Sequence, residues 1–569
     1  MKYIYSLVFC LIGIAHSNAQ VIIDLATMIP EKRPIIITFR PSIINQKVSY
    51  SKIQAYPFVE NQLDALAERL MPKNKAALKD ILVHPVKYGV SDSTPVHLSM
   101  FQENGHPFTQ LYFQNANATL LYRYLAKAVK KSKTVSIGSW AGVGRENTHI
   151  IWNKGASMLN VVGEIFRKDG ESDKEFYDRS NEVLRPILKP QTIMPVEQSL
   201  AKITAFKTYQ DTPADISLWI NCKSLAQQYN EGSIAKDSWL STIVEQLDLI
   251  YDGNYLAVHL FLEKGTIRIQ TQLYLSPLGQ KVAEAAQQQK LNKKMFKYID
   301  ATETLEYTTV KLDFKSWATQ WYQLNNSSLN EKAGNQKFSQ LLKVLGVFLD
   351  EDALNSTLKG DAMFVTTGIN VIEKLDTNYI EGEQETYYEE VQSKSLSSTF
   401  TWLFSYYKSD NFTPFLGLGQ SLGFLAKIND THYELKTALM SMPEGTHIYL
   451  NKGILIITND QKVVQNPSKG IDKSLWPSKT QQKEIGSSTY TSYYDIAKMA
   501  EYWAGITPKK TASFWKTIKI YFSDFELKTN TLEDNILPQE GNIRLQTEEA
   551  PAANILLEAL QGWYDATQE

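Results

Sequence analysis

Blocks of this sequence return at long range, and a chain that repeats itself is constrained to build the same local structure more than once. "THIIWNKG" (Thr148 to Gly155) comes back as "THIYLNKG" (Thr446 to Gly453). "SLWINCKSLAQQY" (Ser217 to Tyr229), "TVKLDFKSWATQW" (Thr309 to Trp321) and "TSYYDIAKMAEYW" (Thr491 to Trp503) share a second layout. In each, an alternating or aromatic run leads to Asn221, Asp313 or Asp495. An apolar residue follows (Cys222, Phe314, Ile496), another comes three positions on (Leu225, Trp317, Met499), and then Ala226, Ala318 or Ala500. This predicts a strand that stops and a helix that starts. Asn and Asp cap helix N-termini because their side-chain oxygen accepts an otherwise unpaired first-turn amide, and apolar residues at spacing three share a helix face. Asn221, Asp313 and Asp495 are therefore read as caps rather than metal ligands.

A further strand-to-helix unit occurs as "GTIRIQTQLYLSPLGQKVAEAA" (Gly265 to Ala286) and "GNIRLQTEEAPAANILLEAL" (Gly541 to Leu560), with "PFTQLYFQNANATLLYRYLAKAV" (Pro107 to Val129) as a looser relative. Arg268 and Arg544 occupy equivalent places and alternate with Ile267, Ile269, Ile543 and Leu545, which puts them on a solvated sheet face. The octapeptides read as strand, turn, strand, with glycine supplying the positive φ of a three-residue hairpin loop.

Turn chemistry explains Asn, Lys and Gly of the octapeptide; it leaves His149 and His447. The nearest carboxylates, Glu146 and Glu444, stand three positions earlier, an odd spacing that points them to the other strand face, and no second His or Cys stands beside either histidine. Such strand histidines are read first as hydrogen-bonded structural residues, and second as binding or pH-sensitive positions. His149 and His447 are the candidate binding residues of this sequence. No catalytic, cofactor-binding or metal-ligating residue is identified, and no cofactor is expected.

The first nineteen residues carry Lys2, an apolar run from Tyr3 to Ala15, and small residues Ser17 and Ala19 before a cleavage point, the anatomy of an export signal. The run is shorter than the ~20 residues of a membrane span, and no later segment is as continuously apolar. Cys10 lies inside that run behind Phe9, so a lipid anchor is not expected. Past residue 19 only Cys222 remains, which excludes an intramolecular disulfide and a cysteine-based zinc or iron–sulfur site. A chain of 569 residues divides into more than one core. A formal net charge of −2 recommends no nucleic-acid partner.

Amphipathic helices are predicted over "VENQLDALAERLMPKNKAALKDIL" and "KFSQLLKVLGVFLDEDALNSTLKG". "DAMFVTTGINVIEKL" and "SSTFTWLFSYYKS" read as strands separated by "DTNYIEGEQETYYEEVQSKSL". That acidic insert lacks the ligand spacing and mid-loop glycine of a calcium loop, and reads as a solvated hairpin loop. There is no Gly-x-Ser-x-Gly elbow, since "GSWAG" has its serine one position early, and no His-Glu-x-x-His or phosphate loop. "SIAK" and "STLK" match an acyl-enzyme tetrapeptide without the Lys-Thr-Gly that would complete the site, and "GLGQSLG" has the wrong spacing for a dinucleotide loop. The 11 tryptophans and 30 tyrosines could stack on sugars, but several sit inside the repeated units, which favours packing.

"DTPADISLWINCKSLAQQY", "LLKVLGVFLDEDALNSTLKGDAMFVTTGI" and "HIYLNKGILIITND" together resemble an uncharacterised cell-envelope family of the Bacteroidota, built around a domain of unknown function and often lipidated. The resemblance runs from about Asp211 to Asp460, implies location and architecture, and transfers no catalytic residue. The expected fold is α+β, with antiparallel sheets covered by helices on one face and internally repeated strand-helix units. The expected division is a signal at 1–19, an N-terminal α+β domain at 20–195, a central one at 196–410, and a C-terminal one at 411–569 that could share the central core. Boundaries are placed near Pro190 to Gln198 and Asp410 to Pro414. The expected protein is exported, periplasmic or outer-membrane associated, without a transmembrane helix once the signal is removed. Its expected role is non-enzymatic: binding, scaffolding or assembly with an envelope protein or glycan. The alternative is a hydrolase or carbohydrate-active enzyme whose site is assembled from distant loops.

Overall fold

The computed structural model describes residues 24–567 apart from internal stretches, the longest of which are 65–79, 184–193, 234–251 and 312–356. The signal at 1–19 and the Asp313 helix start lie outside the described residues, as do most of the amphipathic helices expected over 59–82 and 337–360. The described chain is α+β, and its strand pairings are antiparallel. No described helix is long and apolar enough to cross a membrane.

Two compact units form: Met1–Ser276 with Glu549–Asp565, and Pro277–Glu548 with Ala566–Glu569. The sequence boundary near Pro190 to Gln198 thus falls inside the first unit, and that near Asp410 to Pro414 inside the second. The first is tied down by an Pro30 to Ser199 bridge and by the Glu31 amide donating to the Gln198 carbonyl. At the second, the short turn Ser409–Phe412 runs into the helix Thr413–Ser421, whose Leu416 packs with Tyr406, Tyr433 and Leu450.

The first unit contains β1 (Ile35–Phe39), β2 (Val96–Glu103), β3 (His106–Gln114), β4 (Lys133–Ile137) and β5 (Trp140–Arg145). It continues with β6 (Thr148–Trp152), β7 (Ala156–Val162), β8 (Ile216–Asn221), β9 (Tyr255–Glu263) and β10 (Thr266–Tyr274). Their hydrogen-bonded order is β4-β5-β6-β7-β3-β2-β1-β8-β9-β10. The second unit contains β11 (Glu306–Lys311), β12 (Leu358–Glu381), β13 (Thr386–Tyr406), β14 (Leu425–Asn429) and β15 (His432–Leu435). It continues with β16 (His447–Asn451), β17 (Ile454–Thr458), β18 (Tyr490–Tyr494), β19 (Phe522–Thr529) and β20 (Ile536–Leu545). Their order is β14-β15-β16-β17-β13-β12-β11-β18-β19-β20.

Two of the expected caps are made. The Asn221 carboxamide oxygen accepts the Ser224 amide at 3.1 Å at the start of the helix Cys222–Ser233, and the Asp495 carboxylate accepts the Lys498 amide at 2.9 Å at the start of Ile496–Ile506. The hairpin between β16 and β17 differs from expectation. Asn451 pairs with Ile454, so the loop has two residues, and both Lys452 (φ 45°) and Gly453 (φ 89°) take the left-handed conformation. A two-residue loop of this twist matches that of the flanking strands, which a longer loop is not needed to do. Arg268 and Arg544 are held by carboxylates: Arg268 pairs with Glu263 at 3.1 Å and lies over the Phe261 ring, and Arg544 reaches Asp524 at 2.7 Å and Glu526 at 2.9 Å.

The acidic insert is not a loop. β12 and β13 stay in register as far as Glu381 opposite Thr386, because β-branched and aromatic residues recur through the insert, among them Thr377, Tyr379, Tyr387 and Val391. β12 pairs with β11 only over Asp361–Thr366, and β13 with β17 only over Thr401–Ser405. Past a register shift between Thr366 and Gly368, the two strands pair, among the described residues, only with each other. This ribbon runs for about 45 Å at ~3.3 Å per residue.

The second unit's main apolar cluster contains Met295, Phe296, Tyr298, Tyr307, Met363, Leu403, Tyr449, Ile456 and Val463. Leu450 and Ile448, the neighbours of Tyr449 along β16, belong instead to the cluster of Tyr406, Leu416 and Tyr433. Strand alternation sends successive residues of β16 into apolar clusters on its two opposite faces.

Candidate functional site

Two groups of histidines stand out, one enclosed and one open. In the first unit, His97 on β2, Thr38 on β1, Ser217 on β8 and His259 on β9 are successive cross-strand partners and form one row. Each lies between apolar neighbours on its strand, so alternation carries all four to one face. The Thr38 hydroxyl is 2.8 Å from His97 Nδ1, and the Ser217 hydroxyl is 2.9 Å from His259 Nδ1. The helix Thr204–Asp211 closes over the row: the Tyr209 hydroxyl donates to Thr38 Oγ1 at 2.7 Å. Arg40 donates to the Ser217 hydroxyl and to the Ala214 carbonyl, each at 3.2 Å.

Burial, with a smaller contribution from the Arg40 charge, lowers His97 to about 3 and His259 to about 4. Both rings are therefore neutral at pH 7. A hydroxyl hydrogen-bonded to an imidazole is also the pairing of a nucleophile with its base. Here Ser217 and His259 are both 0% exposed, so no substrate reaches the hydroxyl. The row instead pairs polar groups that four strands place side by side, leaving His259 Nε2 without a hydrogen bond, and fixes their register, since a slip of one residue would strand each of them against apolar side chains.

The second group lies on β15 and β16. Glu434 faces His447 across the pair, and His432 faces Tyr449. His432 Nε2 lies 3.0 Å from His447 Nδ1, with one ring donating to the other. The His432 ring also stacks on Tyr449, with centroids 4.2 Å apart, which fixes its plane. Both histidines are half-buried and accessible. Burial lowers both; the neighbouring His447 lowers His432 further, while Glu434 acts to raise both. Glu434 is itself held by Lys436 at 3.1 Å.

His447 thus does have a second histidine beside it, contrary to the sequence expectation, and Glu434 stands opposite it; Glu444 lies outside the described residues. The partner comes from the preceding strand, fifteen positions earlier. The signal was present in a second Thr-His step, Thr431-His432 before Thr446-His447, at the start of two strands short enough for hairpin closure to bring their first residues together. His149 lies on β6 opposite Gly144, with Gly142 opposite Ile151, and its side chain is outside the described residues. A Cβ at Gly142 would meet Ile151 Cγ2 at 2.7 Å and the Ile150 carbonyl oxygen at 2.8 Å, which leaves no room for a histidine. Among the described residues no three His, Cys, Asp or Glu side chains converge as a metal-ligand set.

No protein-family model and no curated protein matches this chain. Among solved structures, TP0453 in crystal form IV is similar over 47% of this chain and 86% of its own length, at 9% identity and a TM-score of 0.23. TP0453 in crystal form I is similar over 45% and 80%, at 10% identity and a TM-score of 0.23.

Proposed function

We propose that this chain is an exported cell-envelope protein that acts as a non-enzymatic binding or scaffold component, built from two tandem copies of one strand framework. The observation that carries the proposal is the strand order. Every position from β1 to β10 in the first unit is matched one for one by β11 to β20 in the second. The repeated sequence blocks fall on matching elements: the octapeptides on β6-β7 and β16-β17, and the capped helix starts after β8 and β18.

Framework is repeated and chemistry is not. Where the first unit has the row of His97, Thr38, Ser217 and His259, the corresponding row of the second reads Met363, Thr309, Thr491 and Lys528. Where the second unit has His432 and Glu434, the first has Gly142 and Gly144. A duplicated enzyme would keep its reacting groups in at least one open copy. Among the described residues this chain keeps the frame and varies the side chains placed on it, as a scaffold does. The export signal at 1–19 and the resemblance to a Bacteroidota envelope family support the location.

The test is a pull-down from envelope extract with the protein and its His149→Ala and His447→Ala variants. Recovery of the same specific partner or glycan by all three is the expected outcome. Turnover found in a substrate screen, and lost in a folded histidine variant, would overturn the non-enzymatic reading.

A further inference from the structure

We propose that the imidazoles of His432 and His447 form a two-nitrogen chelate for a divalent first-row transition metal, Cu(II) foremost. The argument starts from the separation of the two nitrogens. A metal bound at ~2.0–2.1 Å from each of two nitrogens 3.0 Å apart subtends an angle of about 94°. That is the cis angle of a tetragonal or square-planar centre, the arrangement Cu(II) and Ni(II) favour, whereas the tetrahedral angle of zinc asks for nitrogens about 3.4 Å apart. The affinity order of such donors also places Cu(II) first.

The surroundings fit a chelate. Both rings project from adjacent antiparallel strands, so the backbone fixes their spacing, and the Tyr449 ring packed against His432 holds its plane. In the ring-to-ring hydrogen bond one of the facing nitrogens carries a proton. Metal capture requires that ring to carry its proton on the far nitrogen instead, and both rings to turn so that their lone pairs leave the line between the two nitrogens and converge on one point. The histidines are half-buried, which leaves the remaining positions on the metal to water or to a group from a partner. Glu434 lies on the same strand face, its charge shared with Lys436 at 3.1 Å.

The test uses the untagged full chain and copper alone. Titration with Cu(II), followed by calorimetry and electron paramagnetic resonance, is expected to give one equivalent bound with the hyperfine pattern of two nitrogen ligands. His432→Ala and His447→Ala should each weaken binding at least tenfold, His149→Ala should leave it unchanged, and Zn(II) should bind more weakly than Cu(II). His432→Gln and His447→Gln, which keep side-chain bulk and a hydrogen-bonding group, guard against loss by misfolding and should fail to bind while unfolding at the wild-type temperature in the absence of metal. Copper binding unchanged in all four variants of the pair, or no saturable binding by the wild-type protein, would overturn the site. The scaffold reading is tested separately by partner recovery and survives either result.

Discussion

Asp215 shows how much a single enclosed group can hold. Its carboxylate is fully buried at the start of β8, where it accepts Lys47 Nζ at 2.7 Å and the Leu262 amide at 2.7 Å. Asp215→Ala leaves that amide without an acceptor and an ammonium without its partner, and is expected to cost about 2 kcal/mol, read as a fall in the urea midpoint. Lys452 is the opposite case, a residue whose replacement should help. It sits at φ 45° in the two-residue loop between β16 and β17, where an L side chain is strained and glycine is not. Lys452→Gly should raise stability by about 0.5 kcal/mol, the relieved strain being offset in part by the freedom glycine gains when unfolded. A measured loss would mean that the lysine side chain contributes more than its backbone costs.

At the level of elements, helix starts carry their own marks. Asp495→Ala removes the acceptor of the Lys498 amide and is expected to cost about 1 kcal/mol of the second unit's stability. Thermal unfolding that is unchanged in this variant would show that neighbouring packing alone fixes the helix Ile496–Ile506. Caps, alternating strands and glycine turns were legible in the sequence because each is written in residues that are neighbours in the chain. Asn221 and Asp495 were found on that basis, as was the glycine of the β16-β17 turn, though not that turn's two-residue length. The row across β2, β1, β8 and β9 and the pair across β15 and β16 were not. A lone Thr38, His97, Ser217 or His259 says nothing of the others, since which residue faces which depends on strand order. The insert within β12 and β13 was misread for a related reason: its carboxylates suggested a solvated loop, while its interleaved Thr, Tyr and Val kept the two strands paired. His447 was singled out, but the partner that gives it meaning arrives only when the hairpin closes.

Over the whole molecule the enclosed histidines set a response to acid. His97 and His259 have folded-state values of about 3 and about 4, below the ordinary 6.5 of an unfolded chain. Their contribution is fully present above pH 6.5 and is lost as pH falls toward those values, because the unfolded chain takes up protons that the folded one refuses. Each adds a slope of up to about 1.4 kcal/mol per pH unit. The urea midpoint should therefore fall between pH 7 and pH 5, and the fall should be shallower in a folded His259→Gln variant. An equal slope in that variant would show that His259 is not kept neutral by the fold.

Both units use the same strand order, yet only the second extends its β12-β13 hairpin into a ribbon that outruns its sheet, whereas β2 and β3 end at Glu103 and His106. Along that extension each strand offers a backbone edge with no partner among the described strands, and such an edge is a template for pairing with another copy of the chain. The sequence there is strongly charged, with Glu373, Lys374, Asp376, Glu381, Glu389, Glu390 and Lys394 spread along both strands. Five of these seven are carboxylates, and the net negative charge they give each copy would guard a crowded solution of the protein against stacking into fibrils, a safeguard that acid or high salt should weaken.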